Sequence, residues 1–385
     1  MSSLSLSSSL QRLRTGLVHP PVEVVWASHS SWPLPNPSRL PSRPSPEKIQ
    51  ISVLDSSFNP PTLAHFALAE APAPSSLRAS ESQDHRIDSN SGYDAKLLLL
   101  SVRNADKQLK PNDATYVQRL EMMIELAKDL QEKDIGESAS SSADIAVAII
   151  DEPTFVGKSR LLRVFLKERL RLQMQALSKD SVSLEADKPA ANSFATSSPG
   201  VQLTFLLGYD TLERLFSPKY YDSSQEMMYQ ALQGFFAPPS PNETVSEPRG
   251  ELEGDGSRVV CARRSPSSYP HAAIGLTNHS LSSTTSSTSE SHSHSLSHTI
   301  STFLASSSLP SSCITMIDIG EDVWNVSSSE VRERVREGSR TTEMEGQRGT
   351  NLTEVEGSSR AEGIQWKNMV SERVKRYIAE CGLYK

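Results

Sequence analysis

No run of apolar side chains in the 385 residues approaches the ~18 that a membrane span requires, so no membrane association is expected. Cysteine is scarce. Cys261, Cys313 and Cys381 are odd in number, far apart and free of CxxC spacing, which argues against a disulfide framework or a zinc site and fits a reducing compartment. Positive charge is also short: 39 Lys and Arg against 46 Asp and Glu leave a net charge of −7, which disfavours non-specific nucleic-acid binding. Apolar residues make up only 36% and mean hydropathy is −0.40, too little for a chain of this length to be packed throughout.

What is abundant is Ser, much of it in low-complexity stretches. Disorder is expected over a Ser/Pro-rich arm at 1–46 and over insertions at about 72–93, 180–200, 237–257, 265–311 and 338–362. The remaining residues, roughly 200, suffice for one ordinary α/β domain, expected within 47–385. The arm carries Arg12, Arg14, Arg39 and Arg43 with Glu23 as its acid, a weak hint of a mitochondrial transit peptide. The plainer reading is a disordered arm on a cytoplasmic or nuclear protein. The N-x-S/T sequons at Asn242, Asn278, Asn325 and Asn351 are what a Ser-rich chain produces by chance.

The ordered remainder alternates strands and helices. Ile49, Ile51 and Val53 alternate with Gln50 and Ser52, and Leu54 completes a short strand. Asp55-Ser56-Ser57 and Pro60-Pro61 break it, and an apolar helix starts near Thr62 and runs to about Ala71. Residues 96–102 read as a buried parallel strand, and Asn112-Asp113 as the cap of a helix presenting Val117, Leu120, Ile124, Ala127 and Leu130. A strand at 144–150, a long helix ending near Leu177, and strands at 201–207, 258–262 and 313–319 follow, with helices at 328–337 and 366–380. That alternation is the doubly wound parallel α/β pattern, with right-handed crossovers.

Two stretches carry chemistry. Where the first strand feeds its helix, backbone N–H groups and a helix N-terminus meet at the carboxyl end of the sheet, the place anionic ligands occupy in open α/β folds. Thr62 and His65 share a face of that first turn and can address one phosphate. Near the other end, Ser327-Ser328-Ser329 opens a helix and Arg332 follows one turn later. Hydroxyls, a helix dipole and a guanidinium fork suit a polyphosphate. His292, His294 and His298 lack a framing acid or Cys, and no metal ligands are assigned.

Ser57-Phe58-Asn59-Pro60 with Thr62-x-x-His65 resembles the first signature of the nucleotidylyltransferases, and Val326-Ser-Ser-Ser-Glu-Val-Arg332 is similar to their second. Ser56 and Ala64 stand where the family usually has Gly. Gly208-Tyr-Asp210 through Pro218-Lys-Tyr-Tyr221, Val259 to Arg264, Ala105-Asp-Lys107, Arg119 and the closing Val374 to Tyr384 resemble the nicotinamide mononucleotide (NMN) adenylyltransferase branch. The resemblance implies a Rossmann-like fold and adenylyl transfer from ATP to NMN, giving NAD and pyrophosphate, with Mg²⁺ accompanying ATP. It implies His65 and Arg332 as catalytic residues. Ser57, Phe58, Thr62, Ser328 and Ser329 would join them around ATP, with Asn59, Lys107, Phe155, Gly208, Asp210 and Tyr221 around the mononucleotide. Asp210 as a helix cap, Lys107 as a surface lysine, and Phe155 and Tyr221 as core residues remain open. So do a nicotinate mononucleotide or phosphopantetheine substrate, and a catalytically idle or ATP-hydrolysing protein.

Overall fold

The computed structural model describes residues 2–36, 48–74, 92–103, 110–137, 144–182, 199–239, 254–263, 291–347 and 365–385. A seven-stranded sheet carries helices on both faces. Its strands are β1 (Val22–Ala27), β2 (Lys48–Asp55), β3 (Ala95–Ser101), β4 (Asp144–Ile150), β5 (Gly200–Gly208), β6 (Arg258–Ala262) and β7 (Ile314–Ile317), in the order β1-β4-β3-β2-β5-β6-β7. All neighbours run parallel except β1, which pairs antiparallel with β4 along the edge.

Strand β2 is the pivot. The chain leaves it for β3 and β4 on one side and resumes with β5 on the other, so the topological switch point lies between the carboxyl ends of β2 and β5. There the two crossovers diverge and leave a crevice. Side chains sort by strand alternation. Ile49, Ile51, Val53, Leu203 and Phe205 enter one core beneath α4 (Phe155–Val182), α5 (Tyr209–Leu215), α6 (Gln225–Phe236) and α7 (Ser291–Ser306). Leu54, Leu98 and Leu206 enter the other, covered by α1 (Ser3–Arg14), α2 (Leu63–Ala69), α3 (Tyr116–Glu137), α8 (Ser328–Gln347) and α9 (Glu372–Glu380).

Several expected disordered stretches are corrected. Within the supposed arm, α1 buries Leu6, Leu10 and Leu13, β1 pairs Val22 with Ile150, and Trp32 is fully buried. The leucines recur at helical spacing among serines, a stripe that average composition conceals. Helix α7, inside the expected 265–311 insertion, seats Phe303 against Phe216, Tyr229 and Phe236. Helix α8 continues past the expected end at 337 to Gln347. At the insertion margins Ala73, Tyr93 and Ser257 are buried. The interiors of these stretches, 37–46, 75–91, 183–198, 240–253, 264–290 and 348–364, lie outside the described residues.

The start of α3 differs too. Thr115 accepts from Gln118 N–H at 3.3 Å while Gln118 Oε1 accepts from Thr115 N–H at 2.8 Å, a reciprocal cap. The T-x-x-Q pattern was the signal, and it frees Asp113 for other work.

Candidate active site

Strand β2 ends at Asp55, and its carboxylate meets Lys158 Nζ of α4 at 2.5 Å, both side chains only 6% exposed. Such a pair costs desolvation and serves best as a fixed strut. The Lys158 ammonium also lies 4.9 Å from the centre of the Phe155 ring. The next residue, Ser56, sets its Oγ 2.8 Å from Nε2 of His65.

His65 is held at both ring nitrogens. Nδ1 accepts the Thr62 backbone N–H at 3.1 Å and lies 2.9 Å from Thr62 Oγ1, while Nε2 faces Ser56. A backbone N–H can only donate, so Nδ1 is unprotonated and the ring proton sits on Nε2. Burial pushes the imidazole pKa down to about 4, so the ring is neutral at physiological pH. The Phe58 ring packs 5.3 Å from it, centre to centre, on a backbone with φ of 45°.

The two signatures meet. Ser328 Oγ donates to the Pro60 carbonyl at 2.7 Å across 268 residues, and Arg332 donates to the Asn59 carbonyl across 273. Arg332 also reaches Ser329 Oγ at 3.1 Å and lies 3.7 Å from Asp113. Asp113 sits between two guanidiniums, with Arg119 also 3.7 Å away, and accepts the Lys110 N–H at 3.0 Å. Burial pushes its carboxyl up, but the Lys110 N–H, the Asn59 amide and the two arginines outweigh that and hold it below its ordinary value. Arg119 in turn fixes the signature loop by donating to the Ser57 carbonyl at 3.4 Å. Beside this network a cavity of about 340 Å³ is lined by Lys110, Pro111, Asp113, Ser329, Arg332, Glu333 and Arg336.

His65, Thr62, Phe58, Ser328, Ser329 and Arg332 thus gather around the end of β2, where Ser57 contributes its carbonyl. Asn59 is buried, and its Oδ1 is taken by Ala114 N–H at 3.3 Å and the Tyr384 hydroxyl at 2.8 Å, so it braces the loop from behind. Gly208 ends β5 across the switch point, where a Cβ would meet nothing within 4 Å. Asp210 lies in the first turn of α5; after burial itself, its charge helps push the Cys261 thiol up to about 12. Phe155 packs edge-on against Phe205 at 5.9 Å, and Tyr221 donates its hydroxyl to the Leu215 carbonyl at 2.9 Å. Both are half-buried and pack against the core beneath α4–α7. Lys107 lies outside the described residues. Sequence reasoning read Asp113 as a helix cap and passed over Lys158, Lys110 and Arg336. A buried Lys at the start of a helix is invisible without the strand end that answers it.

No family model matches the chain. A curated protein of Schizosaccharomyces pombe, named "Putative nicotinamide mononucleotide adenylyltransferase", is 28% identical over 197 residues, 50% of this chain and 53% of that protein. The similarity is to a nucleotidylyltransferase of the NMN adenylyltransferase type. The chain spans about half the length of this relative. Two solved structures of Plasmodium falciparum nicotinic acid mononucleotide adenylyltransferase, complexed with APC and with NaAD, align with 87% of this chain and 97% of theirs. They are 12% identical to it, with TM-scores of 0.33 and 0.34.

Proposed function

We propose that this protein transfers the adenylyl group of ATP to a pyridine mononucleotide, NMN foremost, releasing pyrophosphate and forming the dinucleotide. The observation that carries this reading is the bonding of the two signatures to each other: Ser328 and Arg332 are tied to the carbonyls of Pro60 and Asn59 beside His65. One site then offers a neutral imidazole and hydroxyls at one end and cations at the other.

In this reading an oxygen of the mononucleotide phosphate attacks the α-phosphorus in line, the α–β bridging bond breaks, and pyrophosphate leaves. The nucleophile is already an anion, so no strong base is needed; positioning and charge stabilisation dominate. His65, with Thr62 fixing its tautomer, supports the α-phosphoryl oxygens as charge builds. Ser328, Ser329 and Arg332 hold the β- and γ-phosphates, and the Asp113 carboxylate keeps the Arg332 fork oriented.

Mg²⁺ would arrive with the nucleotide and neutralise phosphate charge. Asp113 and Glu333 are the carboxylates lining the cavity, and Asp113 is already engaged by Arg119, Arg332 and Lys110, which suits an ion held by phosphates and water. The test is direct. Purified protein with ATP and Mg²⁺ is offered NMN, nicotinate mononucleotide or phosphopantetheine, and the adenylylated product is resolved by chromatography. Formation of NAD supports the reading. Product only from phosphopantetheine, or ATP hydrolysis with no transfer, sinks it.

A further inference from the structure

His65 does not meet the cleft with a bare donor. Its Nδ1 is committed to Thr62 and its Nε2–H to Ser56 Oγ, 2.8 Å away, so both ring nitrogens are occupied in the free protein. Ser56 also lies at the end of β2, directly after the Asp55–Lys158 strut, and its backbone N–H donates to Leu99 of the neighbouring strand at 3.4 Å. The residue is therefore anchored on both sides at the switch point, where a ligand of this fold lies.

A hydroxyl that accepts from Nε2–H still has its own proton to give. Accepting one hydrogen bond polarises the O–H and strengthens the bond it donates. The geometry points to Ser56 as the donor that touches the phosphoryl oxygens, with His65 acting through it as a positioning residue. This rests on the adenylyl-transfer reading above and changes its innermost contact. The alternative is that phosphate displaces Ser56 and bonds the ring directly. In that case Ser56 would be a competitor for Nε2–H, and its removal would not slow the reaction. A serine serving only as packing would alter stability and leave the rate unchanged.

The experiment compares Ser56→Ala, Ser56→Thr, His65→Ala and the Ser56→Ala/His65→Ala pair with the parent. Ser56→Ala is expected to lower kcat as far as His65→Ala, roughly 10²–10³-fold, while KM for ATP stays within about twofold, and Ser56→Thr, which keeps the hydroxyl, to restore most of it. Because both residues serve one chain of bonds, the double variant should be no slower than His65→Ala alone. Independent, multiplying losses, or an unslowed Ser56→Ala, would overturn the proposal. A second measurement does not depend on turnover. The His65 Nε2–H resonance in a long-range proton–nitrogen spectrum should be present in the parent with and without ATP, and absent from Ser56→Ala without ATP. If it persists unchanged in Ser56→Ala, or moves equally in both proteins on adding ATP, the ring does not work through Ser56. If the parent forms no dinucleotide, the functional reading fails, while these spectra still decide the contact.

Discussion

The buried hydroxyl of Tyr384 donates to Oδ1 of Asn59 at 2.8 Å, joining the end of the segment after α9 to the middle of the first signature loop. Burial holds the phenol well above its ordinary pKa, so it remains a donor throughout the physiological range. The backbone carbonyl of the same Asn59 receives Arg332. The closing segment, the signature loop and the guanidinium thus share one residue.

Tyr384→Phe should test that relay. It leaves Asn59 Oδ1 with only the Ala114 N–H, a loss of roughly 1–2 kcal/mol of stability. The freed loop should also let Arg332 drift, raising KM for ATP several-fold with a smaller change in kcat. Urea unfolding and steady-state kinetics would read both. An unchanged midpoint with unchanged KM would show that the bond is idle.

His65 sets a pH expectation. Its folded pKa of about 4 lies below the ordinary value of 6.5, so the unfolded chain takes a proton that the folded ring refuses. The stability this contributes is full above pH 6.5 and is lost as pH falls toward 4. Denaturant midpoints of the parent and His65→Ala, measured across that window, should converge on acidification. At neutral pH, His65→Ala should lower kcat roughly 10²–10³-fold, because the Ser56 donor to the phosphoryl oxygens loses the ring that positions it, with ATP still bound. Near-normal turnover would remove the ring from the mechanism.

The sheet was legible because buried parallel strands leave dense apolar runs: 144–150 and 258–262 match β4 and β6 residue for residue. The two signatures were legible because each pairs a turn with its chemistry locally. Asp113 and Tyr384 gave no such sign, since their meaning depends on Asn59 and Arg332, which only the fold brings near. The N-terminal segment misled for a different reason. A few leucines in helical register stabilise α1 by burial against α3, and serines on its outer face cost little, so composition pointed away from order.

Helix α7 offers a stability test. Disorder was expected from sequence over about 265–311, yet residues from Ser291 onward form this helix, and Leu296 is buried. Phe303, fully buried, lies within about 6 Å of the Phe216, Tyr229 and Phe236 rings. Phe303→Ala should cost roughly 3–5 kcal/mol, seen as a lowered Tm. A Phe303→Ala protein as stable as the parent would mean that α7 is not seated on this core.

Tyr221 decides between a ligand contact and a structural role. From sequence alone it stood where an aromatic could stack on a pyridine ring. In the fold its hydroxyl is bonded to the Leu215 carbonyl at 2.9 Å, and its ring packs against the core beneath α4–α7. Burial raises the phenol pKa, so the group stays protonated and the bond holds across physiological pH. A ring anchored at its tip across the α5 end is poorly placed to reorient over a substrate. Tyr221→Phe should therefore cost about 1 kcal/mol through the orphaned carbonyl, and Tyr221→Ala roughly 2–4 kcal/mol through lost packing. KM for NMN and for ATP should move together or not at all. Thermal melts with paired kinetics would separate the cases. A selective rise in KM for NMN, with Tm held, would return Tyr221 to the pyridine pocket and make its bond to Leu215 a resting contact that the substrate replaces.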